Sequence, residues 1–326
     1  MKKTKLLTLL SFIGMMLTAC GGAKPNYIIE YDPDKVYNIG ICQIIDHPAL
    51  NAATEGFKEA VEEELGKDKV SFNFRNANGD GNLLVNIASS FVNDKVDLIL
   101  ANATPCVQVT SNATRSIPIL GTSVTDYGVA LDIKNFDGVV GENISGTSDL
   151  APLDRQADMF DELLPNAKKI GLLFCSSEPN SKFQIDTIEP LLQAKGLTTE
   201  RLSFSEANTL PTTLSAQVNN YDALYIPTDN VCAANATTID SICRNAKKPV
   251  ICGEEGLCSG CGIATLSINY TKLGKLTGKM AARIIKEGAD ISKMAIEYDT
   301  EPSKLFNREI CEELNISVPS SYTEIQ

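Results

Sequence analysis

The sequence predicts an α/β protein made of two doubly wound parallel-sheet lobes. Short apolar runs bounded by turn residues alternate with longer amphipathic stretches, and they do so in two successive series of five. Buried strands alternating with helices imply parallel sheets covered on both faces. A hydrophobic content of 43% suffices for packed cores, and 326 residues suggest about two domains.

The N-terminus comes first. Lys2, Lys3 and Lys5 precede a short apolar run from Leu6 to Leu17, which ends in "LTAC" and two glycines. A run this short is a signal-peptide core, not a membrane span. The ending resembles the lipobox of bacterial lipoproteins, so residues 1–19 are expected to be removed and Cys20 lipidated. Residues 20–34 then read as a lipidated tether.

The first series of runs is "YNIGICQII", "VSFNFRNA", "VDLILANA", "IPILGTSV" and "DGVVGEN". Leu50, Ala53, Phe57, Ala60, Val61 and Leu65 repeat at helical spacing between the first two, and Gly66 stops that helix. Leu83, Leu84, Ile87, Ala88 and Phe91 do the same after the second. The second series is "KIGLLFCSS", "TTERLSFS", "DALYIPT", "KPVICGEEG" and "GIATLSIN". One helical stretch, "NSKFQIDTIEPLLQAKG", contains Pro190 and should kink or restart near Glu189.

Ligands of open parallel sheets bind beyond the carboxyl ends of the strands. In the first series those exits carry Gln43 and Asp46-His47-Pro48, then Asn102 to Pro105, then Ser123 to Asp126. In the second they carry Ser176 to Ser181, Pro227 to Asn230 and Gly253 to Gly256. His47 before Pro48 and Thr104 before Pro105 read as caps with proline at the first helical position. Several helix N-termini facing one cleft favour an anion such as a carboxylate, while Asp229 and Glu254 supply negative charge for a cation. A zwitterion fits that combination. Each residue alone can be a helix cap and nothing more, so the case rests on their number and on their belonging to both series.

Charge and cysteine use exclude other classes. The three lysines before Cys20 removed, 26 basic residues stand against 41 acidic ones. That argues against nucleic acid and anionic lipid surfaces as partners. Ten cysteines less Cys20 leave nine. Cys258 and Cys261 form a lone CxxC, with Cys243 and Cys252 upstream and no spaced partner pair, so no metal is expected. A local disulfide or buried free thiols remain. His47 is the only histidine. Hydrolysis needs a nucleophile and an orienting acid beside it, and no nucleophile-elbow pattern occurs, so no enzyme and no cofactor are expected. As a cap its imidazole should be kept neutral by the helix dipole.

"IGICQIIDHPALNAATEGF", "DLILANATP", "SVTD", "SSEPNS", "YIPTDN" and "SINYTKLGKLTGKMAARIIKEG" occur in an order and spacing that resemble the ABC-transporter substrate-binding lipoproteins of the tryptophan/tyrosine-binding type. The resemblance runs from about Val36 to Pro319. It implies a type I periplasmic-binding-protein fold with a hinge crossed three times, near Ser145, Ile268 and Ala289. Residues 35–147 with 268–289 would form one lobe, and 148–267 with 290–326 the other. It implies non-catalytic capture of a free amino acid, usually aromatic, by a monomer on the outer face of the cell membrane, with delivery to an ABC permease and its ATPase. A sensing lipoprotein of the same fold, or an aliphatic or modified ligand, fits the same residues. Under this reading the ligand carboxylate sits on Thr104, Thr125 and the Glu178–Ser181 turn, with Asn180 and Ser181 clamping. The ammonium faces Asp229 or Glu254, Gln43, His47, Pro105, Asp126 and Asn230 line the cleft, and Tyr127 and Tyr270 flank a ring. Three positions depart from the family pattern: Asn51 for aspartate, Cys106 for alanine, and Tyr127 for proline.

Overall fold

The computed structural model describes residues 27–325, so the expected signal segment and Cys20 lie outside the described residues. Residues 27–34 form no strand or helix, and Tyr27 and Ile29 pack on the core of the first lobe. The chain then runs through β1 (Tyr37–Gln43), α1 (Pro48–Leu65), β2 (Val70–Asn76), α2 (Gly81–Asn93), β3 (Leu98–Asn102), α3 (Thr104–Ala113), β4 (Ile119–Val124), α4 (Tyr127–Ala130) and β5 (Ile144–Ser148). A second round follows with α5 (Leu153–Leu163), β6 (Lys169–Cys175), α6 (Pro179–Ala194), β7 (Thr198–Phe204), α7 (Leu210–Gln217), β8 (Ala223–Ile226), α8 (Asn230–Ala234), α9 (Ala236–Asn245), β9 (Val250–Cys252), α10 (Glu255–Cys261) and β10 (Ala264–Ser267). The last elements are α11 (Tyr270–Lys286), β11 (Glu297–Tyr298), β12 (Ser303–Phe306), α12 (Arg308–Glu313) and β13 (Thr323–Glu324).

Two sheets result, ordered β11-β5-β4-β3-β1-β2 and β13-β12-β10-β9-β8-β6-β7. The first five strands of each round share one doubly wound order, with the second strand outside the first and the third inside it. Each sheet therefore has a switch point, between β1 and β3 and between β6 and β8, where a crevice opens beyond the strand ends. β3 and β4 are buried along their whole length, as strands covered on both faces must be. The second sheet is mixed and not purely parallel: β12 runs antiparallel to β10.

Three sequence expectations need correcting. The run "DGVVGEN" is a turn, because Gly138, Gly141 and Glu142 take φ of 97°, 81° and 51°, and the fifth strand is Ile144–Ser148. The chain does not leave the first lobe near Ala289. Ile291 and Ile296 are buried in first-lobe cores, and β11 pairs with β5 through Glu297–Thr147 and Tyr298–Ser148. The last crossing lies between Tyr298 and Ser303, and the first follows Ser148, since Ser145 lies inside β5. Finally, α6 continues through Pro190, which is solvent-exposed, so water can serve the carbonyl its ring leaves unbonded.

α11 packs along α1 in the first lobe, with Met280, Ala281, Ile284 and Ile285 in one core with Ile39 and Ile41 of β1. Glycines let the two backbones touch: a Cβ on Gly56 would lie 2.3 Å from the Thr271 carbonyl oxygen, and one on Gly274 2.0 Å from that of Ala53. The nine cysteines among the described residues are free and buried. No helix among them is long and apolar enough to cross a membrane, and no group of three metal-ligating side chains occurs there. Gly274→Ala should force α1 and α11 apart and cost about 2–3 kcal/mol, read as a lower urea midpoint with unchanged slope.

Candidate functional site

The carboxyl ends of β5, β4, β3 and β1 lie side by side in that order and deliver a row of polar groups. Asp149 follows β5 and is buried. Tyr270 donates its hydroxyl to Asp149 Oδ2 at 3.0 Å, while Oδ1 has no partner. Burial pushes the Asp149 carboxyl up to about 6, against the lowering effect of the Tyr270 and Thr125 hydroxyls. Near the end of β4, Ser123 sits at φ 54° with a buried, unpartnered hydroxyl, and Thr125 follows. Thr104 opens α3 with its hydroxyl buried and unpartnered. His47 precedes α1 and is 5% exposed. Its side chain makes no capping bond, and its Nδ1 has no partner.

The second lobe presents groups that are mostly satisfied internally. Glu178, before α6, accepts from Asn180 Nδ2 at 2.9 Å, from the Asn230 backbone at 3.1 Å and side chain at 2.8 Å, and from the Val231 N–H at 3.2 Å. It thereby caps α8 from outside. Asp229 accepts from the Cys175 and Cys232 N–H groups at 2.7 and 2.8 Å. Ser181 is buried against this pair and donates to Glu178 at 3.5 Å. Burial and the nearby Asp229 charge push Glu178 up to about 7. Burial also lifts Asp229. Glu254 caps α10 through the Gly256 and Leu257 N–H groups, and burial pushes it up to about 7. One amide oxygen stays open, Asn180 Oδ1.

The lobes touch directly. Asn230 Oδ1 lies 3.3 Å from His47 Nε2, and Gln184 of α6 donates to the Thr125 hydroxyl at 3.4 Å. Gly256 of α10 faces Pro48 of α1, where an added Cβ would stand 3.1 Å from that of Pro48. Tyr270 packs with Ala49, Ala53, Ala151 and Leu273 at the hinge. Together with Pro48, Ala52, Glu254 and Gly256 it borders an interlobe groove of about 320 Å³. A larger cavity of about 590 Å³ lies on the outer side of the first lobe, by α3 and α4, and shares none of these residues.

The structure thus sets His47 against Asn230, Thr125 against Gln184 and Glu254 beside Tyr270 between the lobes, with Asn180 next to Asn230 through Glu178 and Thr104 at the exit of β3. Glu178 and Ser181 stand behind this group, bonded to Asn180 and Asn230, while the remaining residues turn elsewhere. Gln43 points into the first lobe, held by Thr54, Asn51 and Asn102. Asp126 caps α4 through the Val129 N–H at 2.7 Å. Pro105 is the second residue of α3, and the cap there is Ala103 at φ 95°, not Thr104. Tyr127 is 1% exposed and does not flank a ligand ring. It turns into the first-lobe core, where its hydroxyl donates to the Thr147 carbonyl at 3.1 Å. Gly121 and Gly146 leave the slot for it, since a Cβ on either would come within 2.3 or 2.4 Å of that hydroxyl. Asp229 spends both oxygens on backbone amides. His47 is neutral, lowered to about 4, because burial outweighs its Asn230 contact and the Asp46 charge. Sequence reasoning missed Asp149, which the misplaced fifth strand hid, and Gln184, which lies one helical turn after Asn180 on the same face.

The described chain matches the model of the family "ABC transporter substrate binding protein" over residues 38–324. It is 34% identical to a tyrosine-binding protein of Clostridioides difficile (strain R20291), over 97% of this chain and 93% of that one. Among solved structures it resembles an ABC domain from Streptococcus pneumoniae in complex with L-Trp, at 30% identity and TM-score 0.83, covering 87% of this chain and 96% of that one. It also resembles a ligand-free, open substrate-binding protein with adhesive properties from Clostridium difficile, at 36% identity and TM-score 0.68, covering 89% and 100%. The TM-score is the higher for the L-Trp complex although the identity is the lower. Gly256→Val should prop the lobes apart at Pro48. Small-angle scattering should then give a larger radius of gyration than wild type under conditions that close the wild-type protein.

Proposed function

Since the chain belongs to the ABC-transporter substrate-binding proteins, we propose that it captures a free aromatic amino acid as a zwitterion between its lobes and delivers it to the permease and ATPase of an importer. One observation supports this: His47 Nδ1, the Thr104 and Ser123 hydroxyls, Asp149 Oδ1 and Asn180 Oδ1, all at or near strand ends and helix starts, are buried without partners. A buried polar atom left unpaired costs about 1–3 kcal/mol, and five such atoms call for a polar guest. Asp149 is the counter-charge for the ammonium, in place of the Asp229 or Glu254 expected from sequence. The Thr104, Thr125 and Ser123 hydroxyls and the N-terminus of α3 receive the carboxylate. Tyr270 and the alanines beside it form an apolar wall against a ring, where aromatic contacts add about 0.5–1.5 kcal/mol. The aromatic side chain is supported by the relative named for tyrosine and the neighbour solved with L-Trp. A lipid on Cys20 would hold the monomer at the outer face of the cell membrane, in keeping with the "LTAC" ending.

A thermal-shift screen tests the ligand class. Tyrosine or tryptophan at a hundred times its dissociation constant should stabilise the fold by about 2.7 kcal/mol. A shift with leucine-type ligands alone would overturn the aromatic assignment, and none with any amino acid would overturn amino-acid binding. Asp149→Asn removes the counter-charge and should weaken binding at least thirtyfold, about 2 kcal/mol. Asp229→Asn should instead lower the melting temperature while leaving affinity in place, because its oxygens serve only the fold.

Asp149 also sets a pH dependence. Its carboxyl, raised to about 6 in the ligand-free protein, holds a proton below that pH, and an ammonium must expel it. Affinity should therefore be flat from pH 7 to 8 and fall below pH 6, by at most tenfold per unit. Calorimetry near pH 6 in buffers of different ionisation enthalpy should show the released proton.

A further inference from the structure

We propose that His47 selects ligands bearing a ring hydrogen-bond donor, because Glu178 and Asn230 of the opposite lobe fix its imidazole with Nε2–H donating and Nδ1 bare. The argument starts at Glu178. Its Oε2 already accepts from Asn180 Nδ2 at 2.9 Å and from the Asn230 backbone N–H at 3.1 Å. The Asn230 side-chain nitrogen donates to the same oxygen at 2.8 Å. Flipping that amide would set two acceptors against each other at that distance, so Asn230 Oδ1 must face His47. It lies 3.3 Å from Nε2, and an amide oxygen only accepts, so Nε2 carries the proton. Nδ1 is left with a lone pair, on a side chain 5% exposed, and has no partner.

Topology says which part of a ligand meets it. Asp149 follows β5 and His47 follows β1, with β4 and β3 between them. Three strand spacings separate the ends of β5 and β1, about 14 Å, and Asp149 and His47 follow those two ends. An amino acid with its ammonium at Asp149 and its carboxylate on the Thr104 and Thr125 hydroxyls has its side chain left to run toward His47. A phenol O–H or an indole N–H can then donate to Nδ1, whereas phenylalanine and leucine leave it unpaired. Glu178 is in this scheme a positioning residue that acts through Asn230. The inference rests on the amino-acid reading above.

Two measurements on the wild-type protein test it. As the chain has one histidine, nitrogen-15 NMR of the L-tyrosine-saturated protein reads the His47 tautomer without overlap. The expected spectrum is the Nε2–H form, and an Nδ1–H form or an imidazolium would overturn the proposal. By calorimetry, L-tyrosine and L-tryptophan should bind about ten- to a hundredfold more tightly than L-phenylalanine. Equal affinities would sink the selectivity and leave amino-acid binding intact, while no binding by any of the three would remove both. Glu178→Gln adds a positioning readout. Its amide can donate to Asn230 Oδ1 and release the flip, so the tyrosine-to-phenylalanine ratio should shrink and the Nδ1–H form appear. An unchanged ratio and tautomer in that variant would show that Glu178 does not set the tautomer.

Discussion

Closing two lobes over polar strand ends takes those ends out of water, and the rest of the structure answers that constraint. The sheets are apolar on both faces, so polar groups can gather only where strands stop and helices start. The two lobes resolve the resulting burial differently. In the second, Glu178, Asp229 and Glu254 are taken up by backbone and side-chain amides of the same lobe. In the first, the Thr104 and Ser123 hydroxyls, Asp149 Oδ1 and His47 Nδ1 stay unpaired. The second lobe thus satisfies its own buried acids, and the first holds most of the buried polar atoms without partners at these ends.

Protonation follows the same division. Burial raises Asp149 to about 6 and Glu178 and Glu254 to about 7. A carboxyl raised in the folded state lends stability while protonated and loses it as pH rises through that value. The folded chain therefore loses stability as pH rises from the ordinary carboxyl range toward 6 to 7. His47 runs the other way. Its value falls to about 4, so the unfolded chain takes up a proton first and stability is lost as pH falls from 6.5 toward 4. Near neutrality it is an uncharged hydrogen-bonding ring, and burial does more to keep it so than the helix N-terminus.

The strand pattern was legible because doubly wound sheets need runs apolar on both faces, and "VDLILANA" or "DALYIPT" has no other stable use. "ISGTSD" was not legible. It is short, contains a glycine and has almost no large apolar side chain, whereas the more apolar "DGVVGEN" beside it is bent by left-handed backbone. Losing that strand also lost Asp149. The strand exits could be read from the pattern, yet the local pattern cannot tell a side chain that points outward from one that turns back. Tyr127 turns back because Gly121 and Gly146, on two different strands, leave a slot between β4 and β5. Glu178 and Asp229 looked like ligand groups because a buried acid reads the same whether it holds an ammonium or an amide. Only the partners decide, and they come from other elements.

The hinge ties these parts into one device. α11 begins at Tyr270, immediately after the chain returns from β10, and it is clamped to α1 by contacts that admit no side chain at Gly56 or Gly274. α1 in turn begins just after His47. The residue that aims Asp149, through the Tyr270 hydroxyl, and the residue that offers Nδ1 are therefore carried by two helices that cannot slide past each other. Across the cleft this frame meets Asn230, Gln184 and Gly256 of the second lobe. Under the proposed function, the groups that recognise the ligand sit on this frame and the second lobe covers them.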